Sequence, residues 1–551
     1  MQTDSQPDYQ PDQLLRGAPV YEAGRWTGDC LLVRGGRVAA HGTYDDVEGL
    51  LSPGTEEVDL SGTWLLPGFH DAHVHPVSAG MELRQCDLTG GESVEGYLRL
   101  VGEYAAQHPD RQWITGGGWS MGSFPRGVPS AALLDRVCPD RPVYLPNRDH
   151  HSAWVNSRAL ELAGITASTP DPADGRIERD ADGTPVGALH EGAMALVGRL
   201  VPAPDEGELL QGLLTAQAHL HSRGIVGWQD ALVGEGLGMR DTLPTYLRAI
   251  REGLLTAKVV AALWWDRERG GEQVGDLVER RAVAREGGLR ATSVKIMQDG
   301  VCETLTAAVL EPYLDASGRP THRHGLSFID PEALREHVAR LDALDFQVHV
   351  HALGDRAVRE SLDAVEHAVS VNGRRGNRHH LAHLQIVHPD DVPRFAALDV
   401  VANVQPLWAC RDEEMTELTL PFLAPAAREQ QYVFRSLLAS GARLAFGSDW
   451  PVSTPDPFDC MHVAVNRREP GAVAVEPLLA HEGLTVVEAL HAYTAGSAYV
   501  NGLESDSGAL DVGMAADVVA VDRDVLALPR EAFHEVEVRH TFVDGAHVFG
   551  G

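Results

Sequence analysis

A His-x-His pair is the feature of this sequence best suited to chemistry. His73 and His75 follow the apolar run Trp64-Leu65-Leu66 and the dipeptide Pro67-Gly68. Apolar residues leading into an alternating segment predict a strand, and side chains two positions apart on a strand share one face. Two imidazoles on one face of a strand end can present two nitrogen ligands to one metal ion. Such a pair is common by chance, so its meaning depends on later strands.

Further polar residues occupy the ends of other apolar, strand-like runs: Lys295, His351, His383 and Asp449. Each alone has a structural explanation, such as a hydrogen-bonded core histidine, an interior lysine paired with a carboxylate, or an aspartate in a turn. Together they are harder to explain, because burying so many polar groups costs on the order of several kcal/mol unless a partner satisfies them. A metal centre would be such a partner.

Eight strand-like runs, most of them separated by helix-length segments, would position these residues. The runs cover residues 64–75, 224–230, 258–263, 292–297, 346–351, 380–384, 400–404 and 443–449. This alternation predicts an α/β fold, a closed (β/α)8 TIM barrel with a parallel sheet. Chemistry in such barrels sits at the C-terminal ends of the strands, so the six residues are expected to surround one point.

The barrel is expected to span residues 64–500 and to carry a long insertion, about 80–222, after its first strand. An insertion there would lie over the catalytic face as a lid or substrate wall, although an unrelated structural excursion is the alternative. Short alternating strands in 1–63 and 501–551 predict one small β-sandwich-like domain built from both termini.

Composition excludes some partners and predicts a compartment. With 46 basic and 79 acidic residues, the net charge of −33 argues against nucleic acid as a partner, because phosphate binding needs a basic surface. Six dispersed cysteines indicate thiols of a reducing compartment, not a disulfide framework. The polar, acidic segment 1–8 does not resemble a signal peptide, and no run approaches the roughly 18 apolar residues of a membrane span. A cytoplasmic protein without a membrane partner is expected.

Several motifs occur together in this chain. They are Pro67-Gly68-Phe69 before His73 and His75, Val294-Lys295 before Asp299-Gly300, His351-Ala352-Leu353-Gly354-Asp355, His383 with Gln385, and Gly447-Ser448-Asp449-Trp450-Pro451. With this combination of motifs, the chain resembles the amidohydrolase superfamily over nearly its whole length. More narrowly it resembles the YtcJ-like branch, which includes N-substituted formamide deformylases.

The resemblance implies two divalent metal ions, with zinc the expected metal. His73, His75 and Asp449 would hold the more buried ion, His351 and His383 the more exposed one. Lys295 would bridge them as a carbamate, for which the amine must be neutral, and burial near cations lowers a lysine pKa. Two cations would generate a hydroxide that attacks the substrate carbonyl, and Asp449 would carry the proton to the leaving amine.

Substrate contacts are predicted for five residues: Trp119, His151, Glu191, Trp408 and Trp450. The alternatives are core packing for the tryptophans, a hydrogen-bonded loop position for His151 and a surface charge for Glu191. His349, one pleat deeper than His351, is interpreted as an interior residue behind the ligands, not as a ligand.

These observations predict a metal-dependent amidohydrolase that cleaves a non-peptide C–N bond, amide or N-formyl, of a small molecule. One alternative is a deaminase or mononuclear hydrolase of the same fold, in which Lys295 is structural. Another is a non-catalytic binding scaffold, against which the intact ligand set argues. The resemblance alone suggests a homodimer.

Overall fold

The computed structural model describes residues 11–91, 93–172, 174–237 and 239–550, so segment 1–8 lies outside the described residues. Eight parallel strands form its central sheet in chain order, and each pairs with the next. They are β1 (Phe69–Val74), β2 (Ile225–Val233), β3 (Lys258–Trp264), β4 (Arg290–Met297), β5 (Gln347–Ala352), β6 (His380–His383), β7 (Val401–Val404) and β8 (Leu444–Phe446). The predicted (β/α)8 barrel is confirmed.

Side chains and loops connect the last barrel strand to the first. Ser448, just after β8, donates its hydroxyl to the Asp71 carboxylate on β1 at 2.6 Å. The backbone N–H of Asp449 donates to the carbonyl of His73 at 2.8 Å. These bonds nearly close the barrel, and they place Asp449 beside the His-x-His pair.

The barrel strands are buried because helices cover their outer side. The apolar sequences of β2 and β3, IVGWQDALV and KVVAALW, are typical of strands buried on both faces. The longer covering helices are Glu206–Ser222, Leu243–Arg251, Val274–Glu286, Pro331–Ala343, Asp355–Asn372, Val392–Leu398, Phe434–Ala439, Pro457–Asn466 and Val486–His491. None of the helices in the described ranges has the length and apolarity needed to span a membrane.

The run predicted as one strand over 64–75 is two strands in different sheets. Trp64–Pro67 pairs antiparallel with Val518–Val521, whereas β1 begins at Phe69 in the barrel. Gly68 lies at the crossover, where an added Cβ would be 2.6 Å from a methyl carbon of Val226. Alternating apolar residues continue through this point, so the sequence pattern did not reveal the change of sheet.

Strands from both termini form two small sheets, as predicted. One contains Gln13–Arg16, Cys30–Arg34, Arg37–Gly42 and Glu56–Asp59. The other contains Val20–Glu22, Arg25–Thr27, Trp64–Pro67, Val518–Val521, Val538–Val543 and Ala546–Phe549. Leu31 and Leu65 from the N-terminal part share a core with Val518 and Phe542 from the C-terminal part. Lys258, at the start of β3, contacts Asp517 at 2.8 Å and ties this unit to the barrel.

The insertion after β1 forms a six-stranded sheet with its own apolar clusters. Its strands are Cys86–Asp87, Ile114–Gly117, Val143–Pro146, Ser152–Val155, Gly175–Arg179 and Pro185–Glu191, and its helices include Val94–Gln107, Ala131–Asp135 and Ser157–Ala163. Helix Glu206–Ser222 falls inside the range 80–222, but its Leu213 and Leu220 pack in the barrel core. The insertion thus ends before this helix.

Candidate metal centre

The C-terminal ends of the barrel strands bring the predicted ligands to one region. His73 lies in β1 with His75 just after it, Lys295 in β4, His351 in β5, His383 in β6, and Asp449 shortly after β8. All but His75 are at least nine-tenths buried. Strand direction in a parallel barrel therefore gathers residues that are far apart in the chain.

His73, His75 and Asp449 form the tightest group. The Nε2 atoms of His73 and His75 lie 3.1 Å and 3.0 Å from Oδ1 of Asp449. In the described part of the chain, this is the only set of three His, Cys, Asp or Glu residues whose ligand atoms all fall within 4.8 Å of one another. Oδ1 is buried and forms no well-aligned hydrogen bond. Nitrogen and carboxylate ligands that converge in this way suit a transition metal ion.

His383 and His351 lie beside this group. The ring of His383 is 4.4 Å from that of His351, and its Nδ1 is 3.9 Å from Oδ2 of Asp449. Both nitrogens of His383 are buried without a hydrogen-bond partner. A buried, unpaired polar atom is costly, and a metal ion would satisfy it, so the residues present fit the predicted centre.

Burial keeps these histidines in the form that binds metal. It lowers the pKa of His73 to about 3, with a further contribution from the charge of Lys295, and it holds the pKa of His351 and His383 well below the usual value. Neutral imidazole is the ligand form, since a protonated ring has no free lone pair.

A hydrogen-bonded pair behind His73 fixes its orientation. Nδ1 of His73 is 2.8 Å from Nε2 of His349, and Nδ1 of His349 is 2.7 Å from Oε1 of Gln229. His349 therefore lies where the sequence interpretation put it, behind a ligand. Gln229 was missed, although a lone amide in the apolar run of β2 was an available signal. Because His73 uses Nδ1 in this bond, its Nε2 is free to face Asp449.

Replacing His349 with Phe should weaken metal binding without removing a ligand. Loss of the bond to His73 frees that ring to rotate, and such losses typically cost about tenfold to a hundredfold in metal affinity. Competition with a chelator of known affinity measures the metal dissociation constant. His349→Gln retains a polar side chain and should recover part of the loss. Unchanged affinity in His349→Phe would show that the contact is only structural.

Lys295 lies in β4 opposite His349 of β5, and it is buried. Burial lowers the pKa of its amine to about 7, although the negative charge of Asp449 acts in the other direction. A substantial fraction of the amine is therefore neutral near pH 7, as carbamate formation requires. The carbamate itself stays a prediction.

Two of the five predicted substrate-binding residues, His151 and Trp408, line a cavity of about 280 Å³ together with His351, His383 and Asp449. The ring of Trp408 stacks on that of His383, with 5.5 Å between centroids.

Glu191 contacts His151 and does not itself line this cavity. Its Oε1 is 2.8 Å from Nδ1 of His151 and accepts a hydrogen bond from Thr306 at 3.0 Å. Burial disfavours the charged form of His151, but the carboxylate of Glu191 outweighs this effect and raises the pKa of the imidazole to about 9. A protonated imidazole is thus held at the wall of the cavity.

The tryptophans Trp119 and Trp450 do not line this cavity. Trp119 is fully buried in the core of the insertion, where its indole N–H donates to the carbonyl of Leu145 at 2.8 Å and its ring packs on Trp154. The ring of Trp450 lies in the barrel core, 5.0 Å from that of His219. Core packing, the alternative explanation for both, is what the structure shows.

An eight-stranded parallel barrel with imidazoles and a carboxylate converging at its C-terminal end defines a class of metal-dependent hydrolases. The chain belongs to the amidohydrolase family, whose sequence model matches residues 56–549. This confirms the resemblance drawn from the motifs.

Individual relatives match most of the chain. Protein LONG AFTER FAR-RED 3 of Arabidopsis thaliana is 31% identical over 89% of this chain and 83% of its own length. YtcJ of Bacillus subtilis is 29% identical over 95% and 96%. The N-substituted formamide deformylase of Arthrobacter pascens is 29% identical over 94% of each chain. The structure of an uncharacterized metal-dependent hydrolase from Pyrococcus horikoshii is similar with a TM-score of 0.71, at 26% identity over 94% of this chain and 99% of the other.

Proposed function

We propose that this protein hydrolyses a non-peptide C–N bond, amide or N-formyl, in a small molecule. The observation that carries the proposal is the convergence of His73 and His75 on Asp449, with His351 and His383 alongside. The deformylase among the relatives supports an amide or formamide as the bond cleaved.

The ligand set is proposed to hold two divalent ions, with zinc the expected metal. His73, His75 and Asp449 would bind one ion and His351 and His383 the other, with carbamylated Lys295 between them. Bound there, such ions polarise a carbonyl and lower the pKa of water to near neutrality.

Asp449 is proposed to move the proton. Burial opposes its ionisation, but His73 and His75 hold the pKa of its carboxyl well below the ordinary value. The carboxyl is therefore ionised at neutral pH, the form that can accept a proton from the attacking water and pass it to the leaving nitrogen. Water adds its oxygen to the carbonyl carbon, the C–N bond breaks, and the products are a carboxylate and an amine.

His151 is proposed to bind the substrate. Glu191 accepts a hydrogen bond from Nδ1–H, so the Nε2–H of the protonated ring is available to a ligand in the cavity. The ring centroid of His151 is 5.8 Å from that of His351. A cationic donor at this distance from the ligands can stabilise negative charge that develops on a carbonyl oxygen.

A mononuclear hydrolase or deaminase is the second candidate. The observation that favours it is that only His73, His75 and Asp449 meet the spacing of a single ion in the described part of the chain. In that case Lys295 would be an interior lysine without a carbamate.

Metal content and a substrate screen test the proposal together. Protein purified without chelators or a His tag should contain about two metal ions per chain and should hydrolyse members of a panel of N-substituted formamides and amides. About one ion per chain, with activity on aminated heterocycles, would favour the second candidate. No bound metal and no hydrolysis after addition of zinc and bicarbonate would overturn both.

A further inference from the structure

The cavity beside the metal ligands has acidic walls. Besides Asp449, six carboxylate residues line it: Asp149, Glu303, Asp412, Glu414, Asp459 and Glu469. They come from the insertion and from the connections that follow three different barrel strands. The only lysine or arginine among the lining residues is Arg148. The wall facing a substrate is therefore dominated by carboxyl groups, and its basic members are Arg148 and the protonated His151.

Neutral donors hold the inner carboxylates in place. The hydroxyl of Ser120 donates to Glu414 at 2.6 Å, the N–H of Met415 donates to Asp412 at 2.7 Å, and the hydroxyl of Thr419 donates to Glu303 at 3.0 Å. These bonds fix the carboxyl groups, and none of the donors carries a positive charge. A cation in the cavity would offset the cost of ionising these buried groups and would reduce their mutual repulsion.

The pKa values of two of these carboxyl groups are raised, as expected for buried acids that have no positive charge beside them. Burial, reinforced by Glu414 and other carboxylates, raises the pKa of Asp412 to about 8 and that of Glu303 to about 7. A bound cation should lower both pKa values, so that binding near neutral pH releases protons.

A metal ion does not fit this wall. In the described residues, no three of these carboxylates bring ligand oxygens within 4.8 Å of one another, as His73, His75 and Asp449 do. Oxygens spread over a wider area match an organic cation, whose N–H groups can reach several acceptors.

Gln385, another residue that lines this cavity, has a buried amide oxygen without a hydrogen-bond donor. Gln385 is 1% exposed, and its Oε1 has no hydrogen-bond partner. Its orientation is set by a chain of amides, because its Nε2 donates to Oε1 of Gln431 and Nε2 of Gln431 donates to the carbonyl of Ala427 at 2.8 Å. Gln385 thus offers an acceptor that lacks a donor.

Aromatic side chains complete the wall. Trp408 and Tyr432 line the cavity. Burial raises the pKa of the Tyr432 hydroxyl, and the nearby charges of Glu303 and Asp412 add to this effect. Aromatic faces attract ammonium groups and also pack on an alkyl chain. The cavity lining thus combines carboxyl groups, an unpaired amide oxygen and aromatic rings next to the predicted metal ligands.

We propose that the substrate carries an ammonium group at the end of an alkyl chain, so that the enzyme hydrolyses the amide of a monoacylated aliphatic diamine. The amide carbonyl lies at the metal ligands, and the ammonium group lies among the acidic residues and Gln385. This inference rests on the proposed function for the identity of the bond, whereas the cation site can be tested without hydrolysis.

Binding is measured by calorimetry on the metal-loaded enzyme with two ligands that resist hydrolysis. One is the methanesulfonyl derivative of diaminobutane. The other is that of pentylamine, in which a methyl group replaces the ammonium group. The charged ligand should bind at least about tenfold more tightly, and added salt should reduce the preference. Equal affinities would overturn the inference.

Two neighbouring glutamates provide matched variants. Glu414 lines the cavity, whereas Glu413 is exposed and does not. Glu414→Gln should reduce the preference for the charged ligand about tenfold, whereas Glu413→Gln, which removes the same charge one residue away, should leave it within about twofold. Identical behaviour of the two variants would show that only the net charge of the protein matters and would overturn the inference.

Hydrolysis of N-acetyldiaminobutane and N-pentylacetamide separates the two proposals. A higher kcat/KM for the charged amide, lost in Glu414→Gln, supports both. Hydrolysis of both amides at equal rates supports the proposed function and overturns the cation site. Charge-selective binding without hydrolysis of any amide or formamide supports the cation site and overturns the proposed function.

Discussion

Replacing Asp449 with Asn is expected to lower kcat about a thousandfold, because the amide has nearly the same shape but cannot take a proton from water. It should also weaken metal binding, since an amide oxygen is a poorer ligand than a carboxylate. The measurement is kcat on an amide substrate from the screen, with metal content determined on the same samples.

The thermal unfolding of Asp449→Asn separates a chemical defect from a folding defect. His73 and His75 stabilise the ionised carboxylate of Asp449 in the folded state, so removing the charge should lower the melting temperature of metal-free protein but leave a single cooperative transition. Asp390→Asn, at an exposed aspartate, is the control and should retain full activity. A metal-loaded Asp449→Asn enzyme with more than about a tenth of the normal kcat would contradict the proton-transfer role.

Lys295→Ala is expected to remove about one of the two metal ions and to lower kcat about a thousandfold, because a carbamate bridge provides ligand oxygens that alanine cannot replace. The chain provides a clean background for this test, since Lys258 and Lys295 are its only lysines. Normal metal content and activity in Lys295→Ala would overturn the carbamate bridge and leave Lys295 as an interior lysine.

Carbon-13 bicarbonate can detect the carbamate directly. Burial opposes the charge of Lys258, but its contact with Asp517 raises the pKa of that amine, so only Lys295 is partly neutral near pH 7. One carbamate resonance is expected; it should vanish in Lys295→Arg and persist in Lys258→Arg. Formation should weaken as pH falls below about 7, because protonation removes the nucleophilic amine.

The sequence contained most of the information needed for the barrel and its ligands. His73, His351 and His383 could be placed because each ends an apolar strand, and parallel strands deliver such ends to one face. Asp449 followed from the Gly447-Ser448-Asp449 motif. These inferences depend on local periodicity and strand direction, which a single sequence shows well.

Features that depend on contacts between distant loops could not be read in this way. Trp119 occurs in a glycine-rich loop that is consistent with a pocket, but packing against Trp154 decides its position. The acidic wall was equally hidden, since Asp149, Glu303 and Glu414 lie in three separate connecting segments whose approach no local pattern predicts.

The path of the chain through Gly68 has a consequence for biosynthesis. Strand Trp64–Pro67 leads directly into the strand that bears His73, and its partner, Val518–Val521, follows all eight barrel strands in the chain, so it leaves the ribosome after them. Until then, Trp64–Pro67 lacks its antiparallel neighbour. We therefore expect nascent chains to acquire metal only after translation of Val518–Val521, so that prematurely terminated products remain apoproteins.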